Sequence, residues 1–262
     1  MRIASLAPSV TTMLQEMGVE DQIIACTQLC PLPLALRQRK AVGSFSALNE
    51  AKLAATKPDL IVTATIVQHR GSVRLRAAGF KVLHLDPRRL TEIGTTYAQL
   101  GACVGREQKG QELQRDFLRR LTELSPRYRG LRPTVYMEEW HEPPFVAGNW
   151  VPDIVASAGA QAVLTSAGQP SRAVTLAELV GADPDIIVQH ICLPPGRDWT
   201  RQRMQFKKKL MHRPGWQQLR AVRQGRVYSL TDTPFNLPTS GVLEGISLLR
   251  TTLLAALNFP VP

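Results

Sequence analysis

The sequence predicts an α/β protein built from two similar lobes joined by one long helix, on three observations. Strand-like and helix-like segments alternate through both halves of the 262 residues, the pattern of a parallel sheet with crossover helices. The stretch Lys57-Pro58-Asp59-Leu60-Ile61-Val62-Thr63 returns in the second half as Asp183-Pro184-Asp185-Ile186-Ile187-Val188-Gln189. Between the halves, residues 105–128 carry Leu113, Phe117, Leu118, Leu121 and Leu124 on one stripe, with charged and amide side chains elsewhere. They read as a single helix of about six turns, stopped at Ser125-Pro126. The expected division is an N-terminal lobe over 1–104, a bridging helix over 105–128 and a C-terminal lobe over 129–262. A rigid helical bridge implies a cleft between the lobes that opens only a little.

In the first half, apolar runs at 3–6, 23–26, 60–63 and 82–85 read as strands, and helical spacing is found at 10–17, 49–56, 72–78 and 90–100. In the second, 134–138, 185–189 and 227–230 read as strands, with helices at 151–158, 176–180, 203–211 and 241–257. Pro58 and Pro184 mark turns, so a buried strand begins just after each.

With 44% hydrophobic residues the chain can bury a sizeable core. No window reaches the roughly 18–20 consecutive apolar residues of a membrane span; the last apolar stretch, 248–257, is interrupted by Arg250 and two threonines. Met1 leads almost directly into a strand, without a signal-peptide pattern. If Met1 is the native start the protein is expected to be cytoplasmic; the alternative is a periplasmic or cell-surface protein whose leader was removed. Of Cys26, Cys30, Cys103 and Cys192 only the first two are close in sequence, and free thiols are expected. The net charge of +11 is dispersed. Its densest patches are 37–40 and 201–213, and the latter has Met204, Phe206, Leu210 and Met211 at near-helical spacing, so it reads as a solvated helix face and a nucleic-acid partner is not expected.

One stretch stands apart: Glu138-Glu139-Trp140-His141-Glu142-Pro143-Pro144-Phe145-Val146-Ala147-Gly148-Asn149-Trp150 gathers two of the four tryptophans with a histidine and a Pro-Pro corner at a strand's carboxyl end. Ligands of α/β sheets collect at such ends. Trp140, Phe145 and Trp150 therefore read either as a flat apolar contact surface or as packing between strand and helix. His141, and His69 in the first half, read either as surface histidines or as axial ligands to a metal.

These motifs resemble those of a known family. Residues 2–13 (RIASLAPSVTTM), the Val42-Gly43-Ser44-Phe45 turn, the KPDLIVT strand, the EPPFVAGNW loop, DPDIIV and the ending from Pro214-Gly215-Trp216 to Gly225-Arg226-Val227-Tyr228 are similar to the helical-backbone metal-receptor family. Its members are the class III substrate-binding proteins of ABC importers for vitamin B12, haem and iron–siderophore complexes. The Glu139, Trp140, Pro143, Phe145, Gly148, Trp150, Pro152 pattern is most similar to the vitamin B12-binding branch and its leaderless cobalamin-binding relatives. The resemblance spans nearly the whole chain. It implies two Rossmann-like lobes bridged by a long rigid α-helix with the ligand in the cleft between them.

The resemblance further implies a monomeric, non-catalytic binding protein for a corrinoid such as cobalamin or a related flat macrocycle. The contacts carried over are Pro8, Ser9, Cys30, Phe45, His69, Trp140, His141, Phe145, Trp150 and Phe235, with Trp216 a lobe-packing residue. Alternatives are an iron–siderophore or haem binder, or a cytoplasmic member with another ligand or an anionic partner. The chain departs from the family pattern at Leu32, where an aromatic is usual, at Asn149, where His is common, and at Asn236-Leu237-Pro238-Thr239-Ser240-Gly241, where relatives have Asn-Arg-Pro-Gly-Pro-Arg. The glutamates by which relatives dock on an ABC permease fall on Ala51 and Ala177, with Glu50 and Glu178 one residue away. One residue is about 100° of helix rotation. No Gly-x-Ser-x-Gly, phosphate-loop, His-Glu-x-x-His or Cys-x-x-Cys motif is present, so neither catalysis nor a catalytic cofactor is expected.

Overall fold

The computed structural model describes residues 1–125, 132–191 and 199–257, without the side chains of Arg39, Trp199, Thr200, Arg201 and Arg203. The chain forms two compact α/β units, residues 1–87 with 91–118 and residues 88–90 with 119–262.

The first unit runs β1 (Ile3–Ser5), α1 (Pro8–Glu16), β2 (Ile23–Cys26), α2 (Leu34–Lys40), α3 (Glu50–Ala55), β3 (Leu60–Ala64), α4 (Thr65–Ala77), β4 (Val82–Leu85), α5 (Leu90–Cys103) and α6 (Glu107–Leu124), the last continuing into the second unit. Its strands are all parallel in the order β2-β1-β3-β4, with Ile3 opposite Leu60 and Ile61 opposite Val82. Central β3 is buried at every residue, as expected of a strand covered on both faces. Its Ile61 packs with Leu6, Leu53 and Leu75.

The second unit runs β5 (Thr134–His141), β6 (Pro144–Val146), α7 (Val151–Ser157), β7 (Gln161–Ala162), β8 (Arg172–Ala173), α8 (Leu176–Ala182), β9 (Ile186–Gln189), α9 (Trp199–Met211), α10 (Arg220–Arg223), β10 (Val227–Ser229), α11 (Thr233–Asn236) and α12 (Val242–Ala256). The sheet order is β10-β9-β5-β6-β8, and β7 pairs with β5. Strands β10, β9 and β5 are parallel, while β6 folds back antiparallel on β5 and on β8. Tyr136, Ile187 and Trp216 anchor its core, with the Tyr136 and Trp216 rings 6.2 Å apart edge to face.

The repeat in sequence is a repeat in hydrogen bonding. Asp59 accepts from the Arg2 backbone N–H at 2.7 Å, pinning the start of β1. Asp185 accepts from the Thr134 backbone N–H at 2.8 Å, pinning the start of β5. In each Pro-Asp pair the carboxylate satisfies the first donor of the adjacent central strand.

Several elements differ from expectation, three of them instructively. The joining helix spans Glu107–Leu124, shorter at both ends than 105–128; Gly105, at φ 70, stands outside it, and residues 126–128 lie outside the described residues. Helix α4 starts at Thr65, seven residues before the expected start at 72. Its buried stripe is Gln68, Ser72 and Leu75 while Ile66, Val67 and Val73 are exposed, so apolar periodicity conceals it. Strand β5 extends through Glu139-Trp140-His141 because β6 supplies a ladder partner for residues that read as a loop.

Helices α5 and α6 meet at two glycines. A Cβ on Gly110 would lie 2.6 Å from the Tyr97 carbonyl and 3.1 Å from the Gly101 Cα, so backbone occupies that space. Gly110→Ala is expected to lower stability by about 1–3 kcal/mol through overpacking. In Gly71→Ala, within α4 with nothing inside 4 Å of the new methyl, stability should rise by up to about 1 kcal/mol. Chemical denaturation of the two variants checks both signs.

Candidate functional site

In the second unit the exposed surface is built on a buried ion pair. Glu138, with no exposed surface, accepts two hydrogen bonds from Arg213, at 2.6 and 2.8 Å, and one from the Gln189 amide at 2.6 Å. The Arg213 guanidinium also lies 4.5 Å above the Trp216 ring. The β5–β6 register shifts between Glu138 and Trp140, a bulge that inserts Glu139. Residues two apart on a strand share a face, but the bulge re-aims the chain, so Glu138 points inward and Trp140 is 47% exposed.

Past the bulge, Trp140 stands opposite Phe145 and His141 opposite Pro144. The Trp140 indole N–H donates to the Glu142 carbonyl at 3.1 Å, which fixes the ring's plane. The His141 ring lies 5.3 Å from that of Trp140 and 5.8 Å from that of Phe206 on α9. Its Nδ1 is buried and has no partner among the described residues. Trp140, His141 and Phe206 thus form a run of neighbouring rings, with Phe145 opposite Trp140 across the hairpin. Phe206 was missed as part of it because its spacing fits an ordinary helix face.

The hairpin is braced from behind. Ser171 Oγ donates to Glu139 at 2.9 Å and accepts from the Gly148 N–H at 3.0 Å. Burial, partly offset by Ser171, holds the Glu139 carboxyl above the usual carboxylate range. Gly148 has no room for a side chain: a Cβ would meet the Gln169 carbonyl at 2.3 Å.

Trp150 and Phe235 occupy different positions from the exposed aromatics. Trp150 is 6% exposed and Phe235 is fully enclosed; the Trp150 indole donates to the Phe235 carbonyl at 2.8 Å. Behind them lies His190, also fully buried and not anticipated from sequence. Asn236 donates to the His190 carbonyl and accepts from His190 Nδ1 at 2.7 Å, which fixes the Nδ1–H tautomer. Burial lowers its pKa to about 4.

In the first unit the carboxyl ends of β1 and β3 are tied by Gln68, 4% exposed. Its amide donates to the carbonyls of Leu6 and Phe45 at 2.7 and 2.9 Å and accepts from the Ala64 N–H at 2.9 Å. This ties the turn of the half-buried Phe45 to Leu6, two residues before Pro8 opens α1. Ser9 is buried, as is Cys30, whose sulfur lies 3.3 Å from Thr27 Oγ1. His69 lies on α4, not in a loop, exposed, with its ring 5.4 Å from that of His84. Ahead of it, Ile66 and Val67 are 51% and 56% exposed at the helix start, and Thr65 takes φ 61, unusual for a β-branched residue. The side chains of Ser9, Cys30, Trp150 and Phe235 are buried, whereas those of His69 and Trp140 are exposed.

Among the described residues no group of three or more His, Cys, Asp or Glu is placed to hold a metal ion, and no helix is long and apolar enough to cross a membrane. Ala51 and Ala177 are exposed. Glu50 pairs with Arg74 at 3.1 Å, and Glu178 closes a capping box with Thr175 at the start of α8.

A protein-family model described as periplasmic binding protein matches residues 3–234. The vitamin B12-binding protein of Vibrio cholerae serotype O1 is 24% identical over 258 residues, covering 96% of this chain and 88% of that protein. The vitamin B12-binding protein of Vibrio vulnificus is 27% identical over 183 residues, 68% of this chain and 67% of that protein. Among solved structures, the periplasmic vitamin B12-binding protein BtuF of Vibrio cholerae superposes with a TM-score of 0.76 at 22% identity, over 98% of this chain and 97% of its own. S. aureus IsdE complexed with heme gives 0.81 at 18% identity, over 96% and 98%.

Because the folded state binds a proton at His190 more weakly than the unfolded chain does, His190 favours folding above pH 6.5, and this contribution is lost as pH falls toward 4. The loss amounts to roughly 3 kcal/mol. His190→Gln is expected to remove that part of the acid slope, checked by denaturant titrations between pH 7 and 4.

Proposed function

Since this chain belongs to the periplasmic binding protein family, we propose that it binds a flat, metal-bearing macrocycle of the corrinoid class, with cobalamin the first candidate, on the aromatic surface of Trp140, His141, Phe145 and Phe206. It is a substrate-binding protein and not an enzyme, and the ligand is cargo with no catalytic cofactor beside it. The observation that carries the ligand class is Trp140: a large indole, half exposed yet fixed by its hydrogen bond and its cross-strand pairing with Phe145. Rigid aromatic faces give broad contact with little rotamer entropy to lose. In the first unit, Pro8, Phe45, Ile66 and Val67 are the residues we assign to ligand contact. His141, whose Nδ1 has no partner among the described residues, is the residue we would assign as an axial ligand in a haem-binding reading, with His69 the corresponding choice in the first unit.

We further propose that the docking glutamates of permease-bound relatives are displaced here. Glu50 and Glu178, adjacent to the expected positions, are engaged with Arg74 and Thr175. Residence in the cytoplasm is supported by the free thiols of Cys26, Cys30 and Cys103, while Cys192 lies outside the described residues. A lipobox-bearing leader encoded upstream of Met1 would overturn it.

Titration with cyanocobalamin, cobinamide, haemin and a ferric siderophore, followed by equilibrium dialysis, tests the ligand class. Saturable binding of a corrinoid is expected. Binding of haemin alone would favour the haem reading, and no binding of any macrocycle would defeat the proposal. Trp140→Ala and Phe145→Ala should each weaken binding by about 2 kcal/mol or more while changing stability little. Trp216→Ala, which empties a core site, should cost roughly 3–5 kcal/mol of stability.

A further inference from the structure

The chain leaves β2, arches through α2 and returns along the same strand. Cys26 pairs in parallel with Ala41, the Val42 N–H donates to the Cys26 carbonyl at 2.9 Å, and the Gln28 N–H donates to the Gly43 carbonyl at 3.1 Å. Gly43 then pairs antiparallel with Leu48 ahead of α3. A Cβ on Gly43 would meet the Ala47 carbonyl at 2.4 Å, and its φ is 131, so this turn has no room for a side chain. The arch borders a cavity of about 520 Å³, lined wholly by residues of the first unit. Small-molecule sites span roughly 300–1,000 Å³.

The walls of this cavity differ in kind. Ala41 and Val42 are apolar, and Leu34, which also lines it, is 59% exposed. Arg37 and Lys52 bring two positive charges, and no carboxylate is in the lining. Among the described residues neither cation is in an ion pair, and Glu50, the acid nearest Lys52 in sequence, is taken by Arg74 at 3.1 Å. Arg37 is half-buried and steadied by donation to the Cys30 carbonyl at 3.4 Å. Lys40, from the same basic run, donates instead to the Ile23 carbonyl and does not line the cavity. Asn49 Oδ1 accepts from the Lys52 backbone N–H at 2.8 Å, so its Nδ2 end is left to donate elsewhere.

We propose that this cavity binds a phosphomonoester with an apolar or aromatic body, of nucleoside monophosphate size. It is a second small-molecule site, built from none of the residues we assign to macrocycle contact. A phosphomonoester concentrates about −1.5 to −2 charges on one group at neutral pH, which two cations match. Arginine offers phosphate a planar pair of N–H donors and lysine a point charge. The Asn49 amide can donate to the remaining oxygens, while Leu34, Ala41 and Val42 give the body of the molecule an apolar face. The overall charge of +11 draws anions toward the chain without placing them; an uncompensated pair of cations in one cavity does place them.

Equilibrium dialysis of the full chain with radiolabelled adenosine 5′-monophosphate at low salt tests the proposal. One saturable site is expected, with adenosine bound at least about tenfold more weakly. Arg37→Gln and Lys52→Gln should each weaken binding of the nucleotide about tenfold, with Arg37→Lys milder than Arg37→Gln. Lys81→Gln, which removes an exposed cation outside the cavity, should change little. Because Lys52 is exposed on α3, its variant reports on the site even where Arg37→Gln fails to fold. Equal weakening by Lys81→Gln would show attraction to net charge alone and overturn the proposal. The absence of saturable binding would also overturn it, as would equal affinity for adenosine, inorganic phosphate or succinate. The outcome is independent of which macrocycle binds.

Discussion

The second lobe's exposed surface depends on burying one carboxylate. Glu138 sits within the central strand with no access to water, so its oxygens must be satisfied from within. Arg213 and the Gln189 amide do this, and Arg213 is itself seated on Trp216. The pair therefore ties β5 to the adjacent strand and to the core tryptophan. The bulge that follows turns the next residues outward, and the aromatic surface begins there. Removing either charge would leave the other buried and unpaired, disturbing the base from which Trp140 and Phe145 are presented.

The first lobe solves the same problem with a neutral side chain. Gln68 uses both ends of its amide to join the ends of β1 and β3 to the Phe45 turn. An amide can do this without a counter-ion, since it offers donor and acceptor together. In both lobes the strand ends are fixed by buried polar contacts, leaving exposed apolar side chains on rigid supports: Ile66 and Val67 in one, Trp140 in the other.

Much of this was legible in the sequence. The alternation of strands and helices gave the two α/β lobes, and the two Pro-Asp stretches marked the starts of β3 and β9, though not the matched hydrogen bonds of Asp59 and Asp185. What remained hidden has physical reasons. Helix α4 buries a glutamine and a serine, so apolar spacing does not reveal it. Strand β5 continues through charged and aromatic residues because pairing satisfies the backbone whatever the side chains are. Phe206 and His190 reach their neighbours through tertiary contacts made far along the chain. Trp150 and Phe235 looked like Trp140 and Phe145 in sequence, yet the Trp150 indole finds a backbone acceptor inside the lobe, and that contact turns it inward.

The central claim is that Trp140 is a ligand-facing surface held ready by the lobe. Hydroxyl-radical footprinting of the indoles, read by mass spectrometry with and without saturating cyanocobalamin, addresses it most directly. Trp140 should be oxidised readily in the free protein and strongly protected in the complex, while the buried Trp216 should be unreactive in both. Equal oxidation of Trp140 with and without bound corrinoid would contradict the account.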